Sequence, residues 1–187
     1  MQRLLVWWFF TVKGWKVVGR FPFELNKAIH IVAPHTHNID FFLGLAVRKK
    51  MHFEFIRFLG KKELFIPPFG WILKYLGCLP VDRSKNNNFV DQVVHMFNTH
   101  ERFHLALSPE GTRKKVPKLK TGFYHIAKKA NIPVVMVGFD FKKRVIEFAE
   151  PFYLTDNEQA DKHKIVRFFS GFTGYVPEYG ITEDVVC

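Results

Sequence analysis

Residues 27–50, KAIHIVAPHTHNIDFFLGLAVRKK, change their hydrophobic period part-way. The first seven form an almost unbroken apolar run, as in a strand covered on both faces, and Pro34 stops it. From Ile39 the apolar residues fall at helical spacing and the last turn is basic, which suits a helix C-terminus. A buried strand followed directly by a helix is half of a βαβ unit, so this stretch points to an α/β sheet. Its connecting loop carries His35 and, five positions on, Asp40. On a regular helix such a pair lies about 140° apart, so the side chains meet only if His35 is in the loop and Asp40 in the first helical turn. Asn38 or Asp40 is placed to cap that turn. A neutral imidazole oriented by a carboxylate is the arrangement of a general base for a hydroxyl proton. The same spacing also fits a loop histidine beside a capping aspartate.

Working outward, the alternation in HFEFIRF predicts a strand over 52–58 that Gly60 closes. Pro67 and Pro68 open a short helix that Gly77 ends, and 78–81 reads as a further short strand. A helix follows over 89–99, then a strand, FHLAL, at 103–107. After the cationic loop SPEGTRKKVPKLKTG comes an amphipathic helix, FYHIAKKA. Pro133 opens VVMVGF, and FKKR turns it into an antiparallel partner, VIEFAE. A last helix, acidic at its start and basic at its end, spans about 155–169. The fold class is therefore α/β: a mostly parallel central sheet flanked by helices, with a late antiparallel hairpin.

With 187 residues, one domain suffices, burying roughly 70% of the unfolded surface. Lys and Arg outnumber Asp and Glu by 28 to 17, a net charge of +11, which favours anionic partners. Aromatic residues make up 17% of the chain, in runs beside basic residues, which favours an anionic membrane surface over nucleic acid. LLVWWFFTV, residues 4–12, is far shorter than the ~20 residues a spanning helix needs. With Arg3, Lys13, Lys16 and Arg20 around it, residues 1–20 read as a monotopic interfacial helix ahead of a catalytic domain at 21–187, or as an ordinary helix packed on the core. Two cysteines provide no disulfide framework and suggest a reducing compartment.

Polar residues recur after successive predicted strands: His35 with Asp40, Asp82 with Arg83, then Glu110 to Arg113. In open α/β sheets such loops converge on one crevice beyond the strands' carboxyl ends. A base with its acid, two arginines able to grip a phosphate, and a glycine amide for an oxyanion make a transfer site for a phosphate-bearing alcohol.

In this order the set resembles the glycerolipid acyltransferase family, which includes the 1-acyl-glycerol-3-phosphate acyltransferases. The first motif, His, four residues, Asp, is met by His35 and Asp40; the second by GCLPVDR ending at Arg83; the third by Pro109, Glu110, Gly111, Thr112 and Arg113; the fourth by Ile132 to Val135. Lys61 before Glu-Leu, and Lys120 two residues before Gly122, are similar to further family positions. Departures at Pro34, His37, Pro80, Ser108 and Met136 leave every catalytic side chain in place.

The resemblance implies acyl transfer from acyl-CoA or acyl carrier protein to the hydroxyl of a lysophospholipid, first among them 1-acyl-glycerol-3-phosphate. Glycerol-3-phosphate and an amino-acid-containing lyso-lipid are alternatives. It implies His35 as base, Asp40 as its orienting acid, and Lys61 and Gly111 as oxyanion donors. Arg83, Glu110, Gly111, Thr112, Arg113 and Lys120 would bind substrate, with neither metal nor cofactor, at the cytoplasmic face of a membrane. Two rival readings stand beside it: a metallohydrolase built on His35 and His37, and a non-catalytic basic module that binds lipid.

Overall fold

The computed structural model describes residues 2–82 and 86–185. Seven strands form one sheet: β1 (Lys16–Gly19), β2 (Lys27–Ala33), β3 (Ile56–Lys61), β4 (Cys78–Val81), β5 (Phe103–Leu107), β6 (Val134–Asp140) and β7 (Val145–Phe148). Their order across the sheet is β1-β7-β6-β2-β5-β3-β4. Every pairing is parallel except β6 with β7, where the expected hairpin turns at residues 141–144. The six helices are α1 (Gln2–Val6), continued to Val12 by wider π turns, α2 (Ile39–Lys50), α3 (Phe69–Tyr75), α4 (Asn86–Thr99), α5 (Gly122–Ala130) and α6 (Glu158–Ser170).

The central strands are covered on both faces. Ile29, Ile31, Leu105, Val134 and Met136 pack against side chains of α4, α5 and α6 on one side. Ala28, Ala106, Val135, Val137 and Phe139 face α2 and the N-terminal segment on the other. Alternate residues of one strand thus feed two cores, which is why β2 reads as a continuous apolar run. Because β2 to β6 run the same way, their carboxyl ends, and the loops that follow them, open at a single edge.

Two expected elements are corrected. The N-terminal helix does not extend through residue 20: it ends at Val12, Gly14 turns the chain at φ +68°, and Lys16–Gly19 becomes an edge strand parallel to β7. Trp15 causes the break, being buried edge-on against Phe9 at 6.3 Å and Phe141 at 4.9 Å, while β-branched Val17 and Val18 suit a strand. Nor do residues 52–55 form a strand. His52 takes φ +58°, and Phe53 and Phe55 close around Phe21, at 3.9 and 5.9 Å, so β3 starts only at Ile56. Gly60 lies inside β3 instead of closing it; a Cβ there would come within 2.9 Å of the Phe65 ring.

A pair of buried histidines joins β2 to β5. His30 Nε2 lies 2.9 Å from His104 Nδ1, and His104 Nε2 lies 2.9 Å from the Leu25 carbonyl. A carbonyl only accepts, so His104 carries its proton on Nε2 and accepts from His30 through Nδ1. That leaves His30 Nδ1 as a buried acceptor with no partner. Burial, reinforced by His104, pushes the His30 pKa down to about 3; burial also lowers that of His104.

Both rings are neutral in the fold and take up protons on unfolding. The contribution of His30 to stability is complete above the ordinary imidazole value of 6.5 and is lost as pH falls from there towards about 3; His104 acts in the same direction. At about pH 5 the loss from His30 alone is about 2 kcal/mol. Urea unfolding at neutral and mildly acidic pH should show this loss in the wild type, and the double variant His30→Leu/His104→Leu should be much less sensitive to acid.

Candidate active site

The loop between β2 and α2 is held by carboxylates from two directions. Asp40, in the first turn of α2 and 3% exposed, accepts the backbone N–H groups of Thr36 at 2.8 Å and His37 at 2.9 Å through Oδ2. The same oxygen lies 3.1 Å from His35 Nδ1. With the proton on Nδ1 directed at Asp40, Nε2 is left as the basic nitrogen. The helix begins with no capping bond from Asn38, so Asp40 serves both as the tie for the preceding turn and as the partner of His35.

From the other side comes Glu110, in the loop after β5. Its carboxylate accepts the His35 backbone N–H at 2.8 and 3.1 Å and the Ser108 hydroxyl at 3.0 Å. The Ser108 oxygen in turn accepts the Glu110 N–H at 3.2 Å. Glu110 is 1% exposed, and burial pushes its pKa up to about 7, against the lowering effect of these hydrogen bonds. Its carboxylate is thus committed to the His35 backbone and Ser108.

A third support is the segment after α6. Thr36 Oγ1 accepts the Val176 N–H at 3.0 Å, and a Cβ at Gly174 would come within 2.6 Å of Thr36 Cγ2. Tyr175 stacks on the His37 ring at 4.5 Å and meets Phe141 edge-on at 5.4 Å. His37 therefore turns towards Tyr175, while His35 pairs with Asp40. Among the described residues no group of three or more His, Cys, Asp and Glu side chains is placed to hold a metal ion.

The other expected site residues that the structure describes lie on the same edge at differing depth. Gly111 adopts φ +67°, and the stem of Lys120 lies where a Cβ would be, 3.2 Å away. The Lys120 N–H donates to the Pro109 carbonyl at 2.7 Å, closing the base of the Gly111 to Arg113 loop. Thr112 Oγ1 accepts the Lys114 N–H at 3.4 Å, and Thr112, Arg113 and Lys120 are exposed. Lys61 ends β3, two strands from β2, about 10 Å away at the usual strand spacing. Arg83 lies outside the described residues.

A family model described as acyltransferase matches residues 14–140. The chain belongs to the acyltransferase family. This acyltransferase chain is 32% identical over 134 residues to the 1-acyl-sn-glycerol-3-phosphate acyltransferase of Escherichia coli (strain K12), covering 66% of the chain and 52% of that protein. It is 28% identical over 136 residues to the protein of the same name from Saccharomyces cerevisiae (strain ATCC 204508 / S288c), covering 65% and 41%. The chain spans about half the length of the curated relatives it matches. No solved structure gives a significant match.

Sequence reasoning missed the parts of the candidate site that act through backbone groups: Thr36, Gly174 and Val176. Their partners are about 140 residues apart, and no local period signals the contact. Ser108 was visible only as a departure from the family pattern.

Removing the Glu110 acceptor by Glu110→Ala strands the His35 N–H and the Ser108 hydroxyl, and should cost about 1–3 kcal/mol in urea unfolding. Because the Glu110 pKa is raised in the fold, its contribution is complete below the ordinary value of 4.5 and is lost as pH rises through about 7. Glu110→Gln keeps an acceptor and cannot ionise, so it should abolish this loss between pH 4.5 and about 7.

Proposed function

We propose that the chain transfers an acyl group from acyl-CoA or acyl carrier protein to the hydroxyl of a lysophospholipid, with 1-acyl-glycerol-3-phosphate as the first candidate. The observation that carries this reading is the 3.1 Å contact of His35 Nδ1 with an Asp40 carboxylate that is buried and fixed by two backbone N–H groups. Such a base is oriented before substrate arrives. His35 Nε2 removes the hydroxyl proton as that oxygen attacks the thioester carbonyl. The tetrahedral intermediate collapses with cleavage of the C–S bond, and the departing thiolate takes the proton back from the imidazolium. A thioester is already activated, so no covalent acyl-enzyme and no further cofactor is invoked. The Gly111 amide and Lys61 are the proposed oxyanion donors, and Arg83 and Arg113 the proposed phosphate grip, with Thr112 and Lys120 beside them.

The names of the two relatives support a phosphate-bearing lyso-lipid acceptor. Membrane attachment belongs to the same proposal. No helix among the described residues is long and apolar enough to cross a bilayer, but Leu4, Trp7, Trp8 and Val12 are exposed on the N-terminal helix, as an interfacial element on the cytoplasmic face would require.

Thiol release from a panel of acyl-CoA and acyl carrier protein donors, each with 1-acyl-glycerol-3-phosphate, glycerol-3-phosphate and an amino-acid-containing lyso-lipid, tests the reading. His35→Ala should lower kcat by about 10²–10⁴-fold without loss of fold, while Arg113→Ala should raise the acceptor KM more than it lowers kcat. Release with no pair, or full activity in His35→Ala, would refute the proposal.

For the acyl chain, the apolar hollow lined by Val32, Gly44, Val47, Phe58, Val137 and Phe139, between α2 and the sheet, is the proposed receptor. Gly44 has open space where a side chain would stand. Gly44→Leu should therefore shift the preferred donor to shorter chains, read from kcat/KM across a chain-length series.

A further inference from the structure

The segment from Leu64 to Tyr75 inverts the usual arrangement of a surface helix. Leu64, Ile66, Phe69, Trp71, Ile72 and Tyr75 are all exposed, at 49% to 77%. Phe69, Ile72 and Tyr75 follow one another at i, i+3 and i+6, so α3 carries an apolar stripe on its outer face, where a soluble helix carries polar residues. Its inner face is occupied by other residues: Gly70 and Leu76 are buried. The platform is firmly built. The Gly70 N–H donates to the Ile66 carbonyl at 2.8 Å, and a Cβ at Gly70 would come within 2.4 Å of the Phe65 carbonyl oxygen, so the turn and the helix are packed together. A protein that exposes six large apolar side chains within one turn and short helix has a surface it covers with something else.

Charge and position indicate what covers it. Exposed Lys61, Lys62 and Lys74 border the stripe, with Glu63 the one acid in the segment, and exposed Arg113, Lys114, Lys115, Lys118 and Lys120 lie on the loop after the neighbouring strand, β5. Aromatic side chains with lysines around them match the boundary between acyl chains and anionic headgroups. The segment follows Lys61 at the carboxyl end of β3, the edge that carries His35 after β2. On the opposite flank of that edge, Trp8 lines a hollow with Ile39 and Tyr175, beside the start of α2. The His35 loop thus sits between two exposed aromatic elements, one at each side of the sheet.

We propose that residues 64–75 form a second membrane-docking surface, inserted into the headgroup region of an anionic bilayer, so that a lipid acceptor reaches His35 laterally from the membrane plane. The use made of the surface rests on the lipid-acceptor reading above; the binding itself does not.

The test uses the full chain and vesicles of phosphatidylcholine alone or in equal parts with phosphatidylglycerol. The variant Ile66→Ser/Phe69→Ser/Trp71→Ser alters only exposed side chains and should keep the wild-type thermal midpoint. Its partition onto the anionic vesicles should fall by about tenfold or more, and wild-type binding should be weaker on the neutral vesicles. A fluorophore attached at Phe69→Cys should shift to the blue when anionic vesicles are added. Thiol release should fall with acceptor embedded in vesicles and stay unchanged with a short-chain acceptor dissolved as monomer. Unchanged partition with no blue shift would overturn the proposal. So would a change in oligomeric state in lipid-free buffer, or weaker use of acyl carrier protein with vesicle binding intact, since either would make the surface a protein interface. If no acceptor is used at all, the acyl-transfer reading fails while the partition and fluorescence results still decide the docking surface.

Discussion

The site depends on one buried oxygen. Asp40 Oδ2 accepts two backbone N–H groups and faces an imidazole, so a single atom sets the course of the loop and the direction of the ring it carries. A buried carboxylate is tolerated because these hydrogen bonds replace those it would make to water, and the N-terminal turn of α2 adds its own dipole. Removing the charge would therefore do more than turn the His35 ring: it would free the turn that sets His35 against Glu110. The four-residue gap between His35 and Asp40 follows from this. A shorter gap leaves no room for a turn whose N–H groups point back at the helix, and a longer one moves the carboxylate out of the first turn.

Glu110 gives the loop its link to the rest of the sheet. β2 and β5 are adjacent and parallel, so the residues just beyond Ala33 and Leu107 emerge side by side, and the Glu110 carboxylate bridges them through the His35 N–H. The two acids differ in electrostatic state. Asp40 has three donors about it, whereas Glu110 is nearly water-free with a pKa raised to about 7, partly by Asp40 itself. The stability contributed by a group in that condition falls as pH rises from about 4.5 to about 7. The buried histidine pair below it behaves in the opposite sense, weakening as pH falls. The two trends oppose each other between about pH 4.5 and 6.5, and the groups responsible sit on β2, β5 or the loops that follow them.

Much of this was legible in the chain. KAIHIVA announced a strand with two covered faces, Pro34 its end, and the spacing of His35 and Asp40 allowed one geometry in which they meet, the one observed. The misreadings have local causes. Trp15 and Val17 fit an amphipathic helix by period, and only the burial of Trp15 against Phe9 and Phe141 decides for a strand. HFEFIRF alternates as a strand would, yet Phe53 and Phe55 are drawn out of line by Phe21, a partner some 30 residues earlier that no periodicity reveals. Side chains that perform chemistry leave their mark as residue types at set spacings; groups that act through a backbone N–H or a missing Cβ leave almost none.

That asymmetry bears on where the functional unit ends. The family match stops at residue 140, at the end of β6, and by that measure the site is complete. Its geometry is not. The Val176 N–H occupies the Thr36 hydroxyl oxygen, Gly174 lets the backbone approach Thr36 closely, and Tyr175 lies across His37. Thr36 and His37 are the two residues whose N–H groups bind Asp40, so the segment after α6 presses on the same turn that Asp40 holds from within. Phe172 fills the space above Gly138, and the Phe141 N–H donates to the Thr173 carbonyl, which seats the segment on the far end of β6. The loop is therefore clamped between a helix, a neighbouring strand's loop and a late strap, each contributing through a different kind of group. A chain cut at residue 140 would retain every side chain that the motifs name and lose one of the three supports that hold His35 in place.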